Sequence, residues 1–299
     1  AEVTATQSGE VMNEMATVSA RAFTVEETDR YAGSRGDPAR MASNFAGVQG
    51  ADDSRNDIVV RGNSPSGVLW RIEGVDLTNP NHFSVPGTGG GPVAIINNKT
   101  LANSDFFTAA FPAEFGNSTA AVFDLKLRNG NQDHWHGSAQ LGFLGTEVLL
   151  EGPLNRDKRS SLLVNYRYST ASIFSAVGID IGTTAVPKYQ DGSFKLFTPT
   201  KGGGSLSFWG IGGNSNVDIL ISTQEAPERN IYGDNDRDQY FRTGTGMMGL
   251  THTQPLNSRS YIKTTLAVSR DRQDSNHDYV TRDLLITESD TSYTNIQTS

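Results

Sequence analysis

The sequence predicts a small α+β domain over residues 1–131, followed over residues 132–299 by antiparallel strands of a transmembrane β-barrel. Three observations carry that division. The first stretch mixes short strands, turns and helix signals. The second repeats strand, turn, strand and loop, and its connections alternate between short turns and long hydrophilic segments. Composition agrees, since 31 glycines and few runs of helix formers suit strands and turns better than a helical bundle.

Bulk properties exclude several classes. The net charge is −8 and the basic residues are dispersed, so no basic stripe offers itself to nucleic acid. With no cysteine, disulfides and thiolate metal sites are out of reach. No apolar run approaches the roughly 18 residues of a transmembrane helix, a criterion that says nothing about barrel strands, which alternate. No signal peptide is visible, so an exported chain is expected here in processed or truncated form.

In the first domain, residues 12–23 begin a strand with Val18 and Phe23 among its apolar positions, and residues 28–31 and 37–46 read as helical. Asp37-Pro38 supplies an N-cap and first-turn pair for the second of these. Residues 58–60 and 68–75 are strands on either side of the turn-rich stretch 62–67. Residues 79–92 form a loop whose Gly87-Thr88-Gly89-Gly90-Gly91 run lacks the Lys-Ser/Thr of a phosphate loop and reads as flexible. Residues 120–127 form a further strand.

In the second part, residues 135–143 and 146–154 flank a tight Leu144-Gly145 connection. The turn 155–159 leads into 160–168, which sets Leu162, Val164, Tyr166 and Tyr168 on one face and Leu163, Asn165 and Arg167 on the other. After the long segment 169–189 comes strand 193–198, where Phe194 and Leu196 alternate against Lys195. Residues 200–204 turn into strand 205–211, and the polar loop 214–242 precedes strand 244–256. Residues 257–259 turn into 260–269, where Ile262, Leu266 and Val268 oppose Lys263 and Ser269. A soluble β-sandwich also alternates its faces and stays open as an alternative; the loop asymmetry favours the barrel.

Several motifs in the first domain carry a resemblance. Asp57-Ile58-Val59-Val60-Arg61-Gly62 resembles the strand-ending Ile-Arg-Gly signature of TonB-dependent outer-membrane receptor plugs. Val68 to Asp76 looks like that family's hairpin, with Glu73-Gly74 where Asp-Gly is usual. Ala113-Glu114-Phe115-Gly116-Asn117 is similar to the plug's small-x-aromatic-Gly turn, and Ala121 to Lys126 occupies the place of its last strand. Residues 35–46 and 142–154 resemble the Bacteroidetes-type branch. At the N-terminus Glu2-Val3-Thr4-Ala5-Thr6 resembles the end of a TonB box, an extended segment able to add to a partner's sheet edge.

The resemblance implies a plug (1–131, with 1–10 as box remnant and linker) inside a barrel of roughly 22 strands. It implies an outer-membrane importer energised by a TonB-type protein, in contact with outer-membrane lipid and an extracellular ligand of unknown identity, without cofactor or enzymatic activity. Arg61 becomes the candidate lock between plug and barrel, with partner carboxylates expected beyond Ser299. Length supports a fragment. Twenty-two strands need about 220 residues, about seven strand candidates are visible, and an eight-stranded barrel is filled by its own side chains. The polar run 293–299 offers no closing apolar strand.

Other constellations weigh little. His134 and His136 share a strand face but find no third metal ligand. Asp234-Asn235-Asp236-Arg237-Asp238 alternates acids as a calcium loop does, yet lacks its Gly and Glu. Arg35-Gly36-Asp37 sits at a helix start, and Asp52 and Asp53 point to opposite faces of any strand, which suits no two-carboxylate site. Competing functions are a receptor-like binding or assembly component that does not transport, and a secreted all-β binding module or glycan-active enzyme.

Overall fold

The computed structural model describes residues 13, 20–23, 33–34, 36–51, 53–85, 87–142, 145–155, 157, 159–176, 178, 186–223, 236–281 and 286–298. The expected helix at 28–31 and the segment 2–6 lie outside the described residues.

The first domain is built on a five-stranded sheet of β1 (Ala20–Phe23), β4 (Val68–Ile72), β5 (Val75–Leu77), β8 (Ser104–Phe107) and β9 (Ala121–Leu125), ordered β1-β8-β9-β4-β5. Only β4 and β9 pair in parallel. Two small ribbons flank it, β2 (Val48–Gly50) with β3 (Ile58–Val60) and β6 (Asn81–His82) with β7 (Val93–Ala94). Phe123 centres the core: Trp70 stacks on it at 4.2 Å, Phe106 lies 4.4 Å away and Phe23 meets it edge-on. Such aromatic pairs add about 0.5–1.5 kcal/mol each beyond the apolar area they bury. The helix α1 spans Pro38–Ala42, shorter than the 37–46 expected, and Asp37 caps it by accepting the Ala39 N–H at 2.8 Å.

The Gly87–Gly91 run was expected to be flexible, and its packing is the finding. A Cβ on Gly90 would lie 2.6 Å from the Asp57 nitrogen, one on Gly91 2.6 Å from the His82 carbonyl, and one on Gly89 would strike the Pro65 carbonyl. The glycines permit close backbone approach. Buried Asn56 knits the same region, donating to Asp37 and Asn81 and accepting the Gly91 N–H. We expect Gly90→Ala to destabilise the full-length protein by about 1–3 kcal/mol, read from urea denaturation; an unchanged midpoint would show that the loop is not packed this way.

The second part is an eight-stranded antiparallel meander. Its strands are β10 (His136–Leu141), β11 (Thr146–Asn155), β12 (Ser160–Tyr168), β13 (Lys188–Pro199), β14 (Ser205–Ile219), β15 (Arg237–Asn257), β16 (Ser260–Thr281) and β17 (Ile286–Thr298). Each pairs with the next in sequence, and among the described residues the sheet is open, with β10 and β17 at its edges. A short helix, α2 (Thr170–Ala176), occupies part of the segment after β12. No described helix is long and apolar enough to cross a membrane.

Three strands run well past the stretches that hydropathy marks. β14 continues through Asn214, β15 begins at Arg237 inside the expected loop 214–242, and β16 continues to Thr281. The polar run 293–299, expected to offer no closing apolar strand, carries the end of β17, Ile286–Thr298. The 21 residues of β15 extend about 70 Å at 3.4 Å per residue. Polar and charged side chains dominate these extensions, as in Asn214-Ser215-Asn216 on β14 and 270–276 on β16, so they are invisible to hydropathy.

Alternation along the meander separates two faces. Val148, Leu150, Val164, Tyr166, Phe208, Met248, Leu250, Leu266 and Val268 are large and exposed on the outer face. Their neighbours Glu147, Leu149, Leu163, Asn165, Asp191, Ser193, Lys195, Trp209 and Met247 are buried on the inner one. This is the reverse of a soluble sheet, and it is the distribution of a barrel wall facing lipid. Trp135, half exposed, lies over the flat outer surface at Gly152.

Candidate functional site: the contact between domain and wall

The inner face meets the first domain through charged groups taken largely out of water. The β4–β5 hairpin turns on Glu73 and Gly74, both at positive φ (53° and 89°), as a two-residue type I′ turn requires. That turn places the Glu73 carboxylate, 6% exposed, where it accepts the Leu127 N–H at 2.9 Å and the Lys195 ammonium at 2.8 Å. Lys195 also donates to the Leu127 carbonyl at 2.6 Å. The ammonium therefore reaches from the wall into the domain and bonds to a side chain and a backbone oxygen there.

Two further pairs extend the contact along β11. Arg128 grips Glu151 with both Nη atoms, at 2.6 and 2.9 Å, and the same carboxylate accepts the Asn131 N–H. This is the fork geometry that makes arginine–carboxylate pairs strong. Four residues earlier on β11, Glu147 receives Lys99 at 3.0 Å and Asn97 at 2.7 Å, while Asn97 also reaches Asn165.

The fourth contact is the most buried. His82 (fully buried) and Asp191 (3% exposed) meet with Nε2 2.8 Å from Oδ2. Arg167 donates to the same carboxylate at 2.9 and 2.7 Å and to the Ala94 carbonyl of the domain. The His82 ring lies 4.7 Å from that of Tyr189, and its edge rests on Gly213, where a side chain would collide with it. Near this cluster Phe83 N–H donates to Ser215, and Gln273 donates to Ser84.

Burial pushes the His82 imidazole below its usual range, outweighing the pull of Asp191. Its Nδ1 has no hydrogen-bond partner among the described residues, so neutral His82 donates from Nε2 and a second proton would be buried unmatched. The sign follows. With the folded value below the ordinary 6.5, the unfolded chain binds more protons between the two, so stability rises with pH across that window. The contact is at full strength above about pH 6.5 and weakens as pH falls through the folded value. In His82→Gln this component of the pH dependence is expected to disappear, measured by thermal melts of the full-length protein between pH 7.5 and pH 5 (as ~0.5-unit steps); an unchanged profile would remove His82 from the account.

The residues singled out in the sequence fall in several places. Glu73 and Gly74 sit at the contact. Arg61, at the end of β3 with φ 50°, is exposed and its Nη2 reaches Thr108 at 3.4 Å within the domain; Gly62 follows at φ 82°. Phe115 is buried against Phe107 at 5.1 Å, with the Arg71 guanidinium over its ring, and Gly116 stands beside open space. Sequence reading did not single out Lys195, Arg128, Glu151, Glu147, Asp191 or His82 as contact residues. The available signal was an ionisable side chain at alternate positions of a strand whose other face is apolar, as Glu147 and Glu151 are around Val148 and Leu150.

No protein-family model matches the chain, and no curated protein matches it. Among solved structures, the chain is similar to a ferric enterobactin receptor (PfeA) of Pseudomonas aeruginosa, at 13% identity and TM-score 0.49, covering 93% of this chain and 45% of that one. The siderophore receptor PirA of Acinetobacter baumannii gives 14%, 0.49, 89% and 46% on the same measures. The copper transporter OprC gives 10%, 0.48, 98% and 52%. The chain thus spans about half the length of these structures.

Proposed function

We propose that this chain is the plug domain and first barrel arc of a TonB-dependent outer-membrane importer. The observation that carries the reading is the inverted meander: apolar side chains outward, and inward a set of charged groups that clasp an α+β domain. An eight-stranded barrel would be filled by its own side chains, so the meander is read as one arc of a wider wall around the domain. The charged contacts suit a removable plug. A charged pair separated into water regains hydration on both sides, whereas the apolar part of the contact, Trp209, Ile211 and Met247 packed with the domain's core, must be wetted.

In this reading residues 2–6 are the segment that TonB engages, and Arg61 is directed to a part of the wall outside this chain. The Bacteroidetes-type assignment rests on the resemblance alone. The imported compound belongs to the classes that need such a gate: a metal chelate, a glycan, a vitamin or a peptide. Deleting residues 1–10 from the full-length receptor should abolish protonophore-sensitive uptake, screened with ferric-siderophore, cobalamin and oligosaccharide probes, while leaving surface binding intact. Uptake that persists after the deletion would sink the TonB coupling. Binding without any energised uptake in the parent receptor would favour the non-transporting alternative.

A further inference from the structure

The outer face of the meander carries a feature that the import reading leaves unused. Cross-strand register orders its outward residues into rows. The rows Leu196–Phe208–Leu250–Leu266 and Phe194–Gly210–Met248–Val268 belong to the apolar band. The next row, toward the long connections, is Tyr166–Gly192–Gly212–Gly246–Arg270, with three glycines side by side on three strands. Above it come Gln190–Asn214–Gly244–Arg272 and then Lys188–Asn216–Arg242–Asp274.

With no side chains on Gly192, Gly212, Gly244 and Gly246, the wall is recessed there. A cavity of about 590 Å³ opens just above, lined among others by Tyr168, Lys188, Asn216, Arg242, Arg272 and Asp274. Lys188, Arg242, Arg270 and Arg272 are all exposed. Arg272 pairs with Asp274 at 2.7 Å, while Lys188 and Arg242 make no ion pair among the described residues. Successive rows are two residues apart, about 7 Å. The cations therefore stand within about 7–20 Å above the last apolar row, at headgroup depth.

We infer that this recess binds the phosphorylated headgroup of an outer-leaflet glycolipid. The arginines and Lys188 take the phosphates, and the glycine floor lets the sugar backbone lie close against the sheet. Charge complementarity selects the occupant: exposed cations in excess over Asp274, directly above an apolar band, match an anionic head on apolar tails. A neutral lipid would leave the cations unmatched, and a second protein would be chosen by shape that a bare glycine floor does not supply. The inference rests on the outer-membrane reading proposed above.

The test uses the full-length receptor in nanodiscs, with bis-phosphorylated lipid A, dephosphorylated lipid A and inorganic phosphate as probes. Two variants accompany it: Arg242→Gln/Arg270→Gln/Arg272→Gln, and Gly246→Leu, which fills the recess without changing charge. Heat-modifiable migration in gels reports that each variant is folded. Retention of the bis-phosphorylated lipid is expected to fall on the order of 100-fold in the triple variant, and to fall in Gly246→Leu as well. Dephosphorylated lipid should be retained equally by all three proteins, and millimolar phosphate should not compete. Equal retention of the two lipids by the parent, retention unaffected by either variant, or displacement by free phosphate would each overturn the inference. A receptor that fractionates outside the outer membrane overturns the proposed function and this inference together, whereas an outer-membrane receptor with unselective lipid retention overturns this inference alone.

Discussion

Replacing Lys195 by methionine is expected to loosen the domain from the wall by about 3–5 kcal/mol, because the buried Glu73 carboxylate then loses its counter-charge while remaining out of water. Both side chains are less than one tenth exposed, so solvent screening does not soften the loss. Methionine keeps the length and apolar stem of lysine, which leaves packing largely intact. The measurement is the rate at which a protease cleaves the first domain in the full-length protein, alongside its melting temperature. The double variant Glu73→Gln/Lys195→Met should recover most of the loss, since the glutamine oxygen still accepts the Leu127 N–H without a charge to strand. No recovery in the double variant would mean that the single change acts by something other than the unpaired carboxylate.

The second large effect is expected at Asp191. One carboxylate oxygen there serves His82 and both donors of Arg167. Asp191→Ala leaves a buried guanidinium and a buried imidazole without their acceptor, a loss of about 3–5 kcal/mol. It also removes the acceptor that fixes His82 with its proton on Nε2, so the pH profile should change together with the stability. Hydrogen exchange at residues 81–94 would report the loss locally. Protection there that matches the parent protein would contradict the view that Asp191 ties the β6–β7 ribbon to the wall.

The sequence displayed much of this architecture, and the elements it hid have physical reasons. β12 was read with its observed bounds, 160–168, because its two faces meet different media and period-2 alternation is strong. β8, Ser104–Phe107, is buried on all four residues and so has no alternation to show. The extensions of β14, β15 and β16 are mostly polar, with isolated apolar residues such as Val217, Ile219 and Phe241, and read as loop. At the site, the positive-φ turn at Glu73-Gly74 was visible as a motif, yet its partner Lys195 lies 122 residues away and nothing local announces it. Its alternation against Phe194 and Leu196 marks the face Lys195 occupies, but not its partner. A buried ammonium needs a partner, and the first domain supplies it through Glu73 and the Leu127 carbonyl. His82 lay in a segment read as loop, and its role depends on Asp191, 109 residues further on.

The most direct test of the account is the medium that each face of the meander meets. The chain has no cysteine, so single cysteines can be introduced without background at Leu163, Val164, Asn165 and Tyr166 on β12 and at Phe208 and Trp209 on β14. Nitroxide labels on the full-length protein in lipid bilayers are then scored for contact with oxygen, which concentrates in the hydrocarbon, and with a water-soluble nickel chelate. High oxygen and low nickel contact are expected at Val164, Tyr166 and Phe208. Low contact with both is expected at Leu163, Asn165 and Trp209, which the first domain covers. Nickel contact at Val164 and Phe208, or no alternation between neighbouring positions, would contradict the reading of this sheet as a membrane wall around a plug.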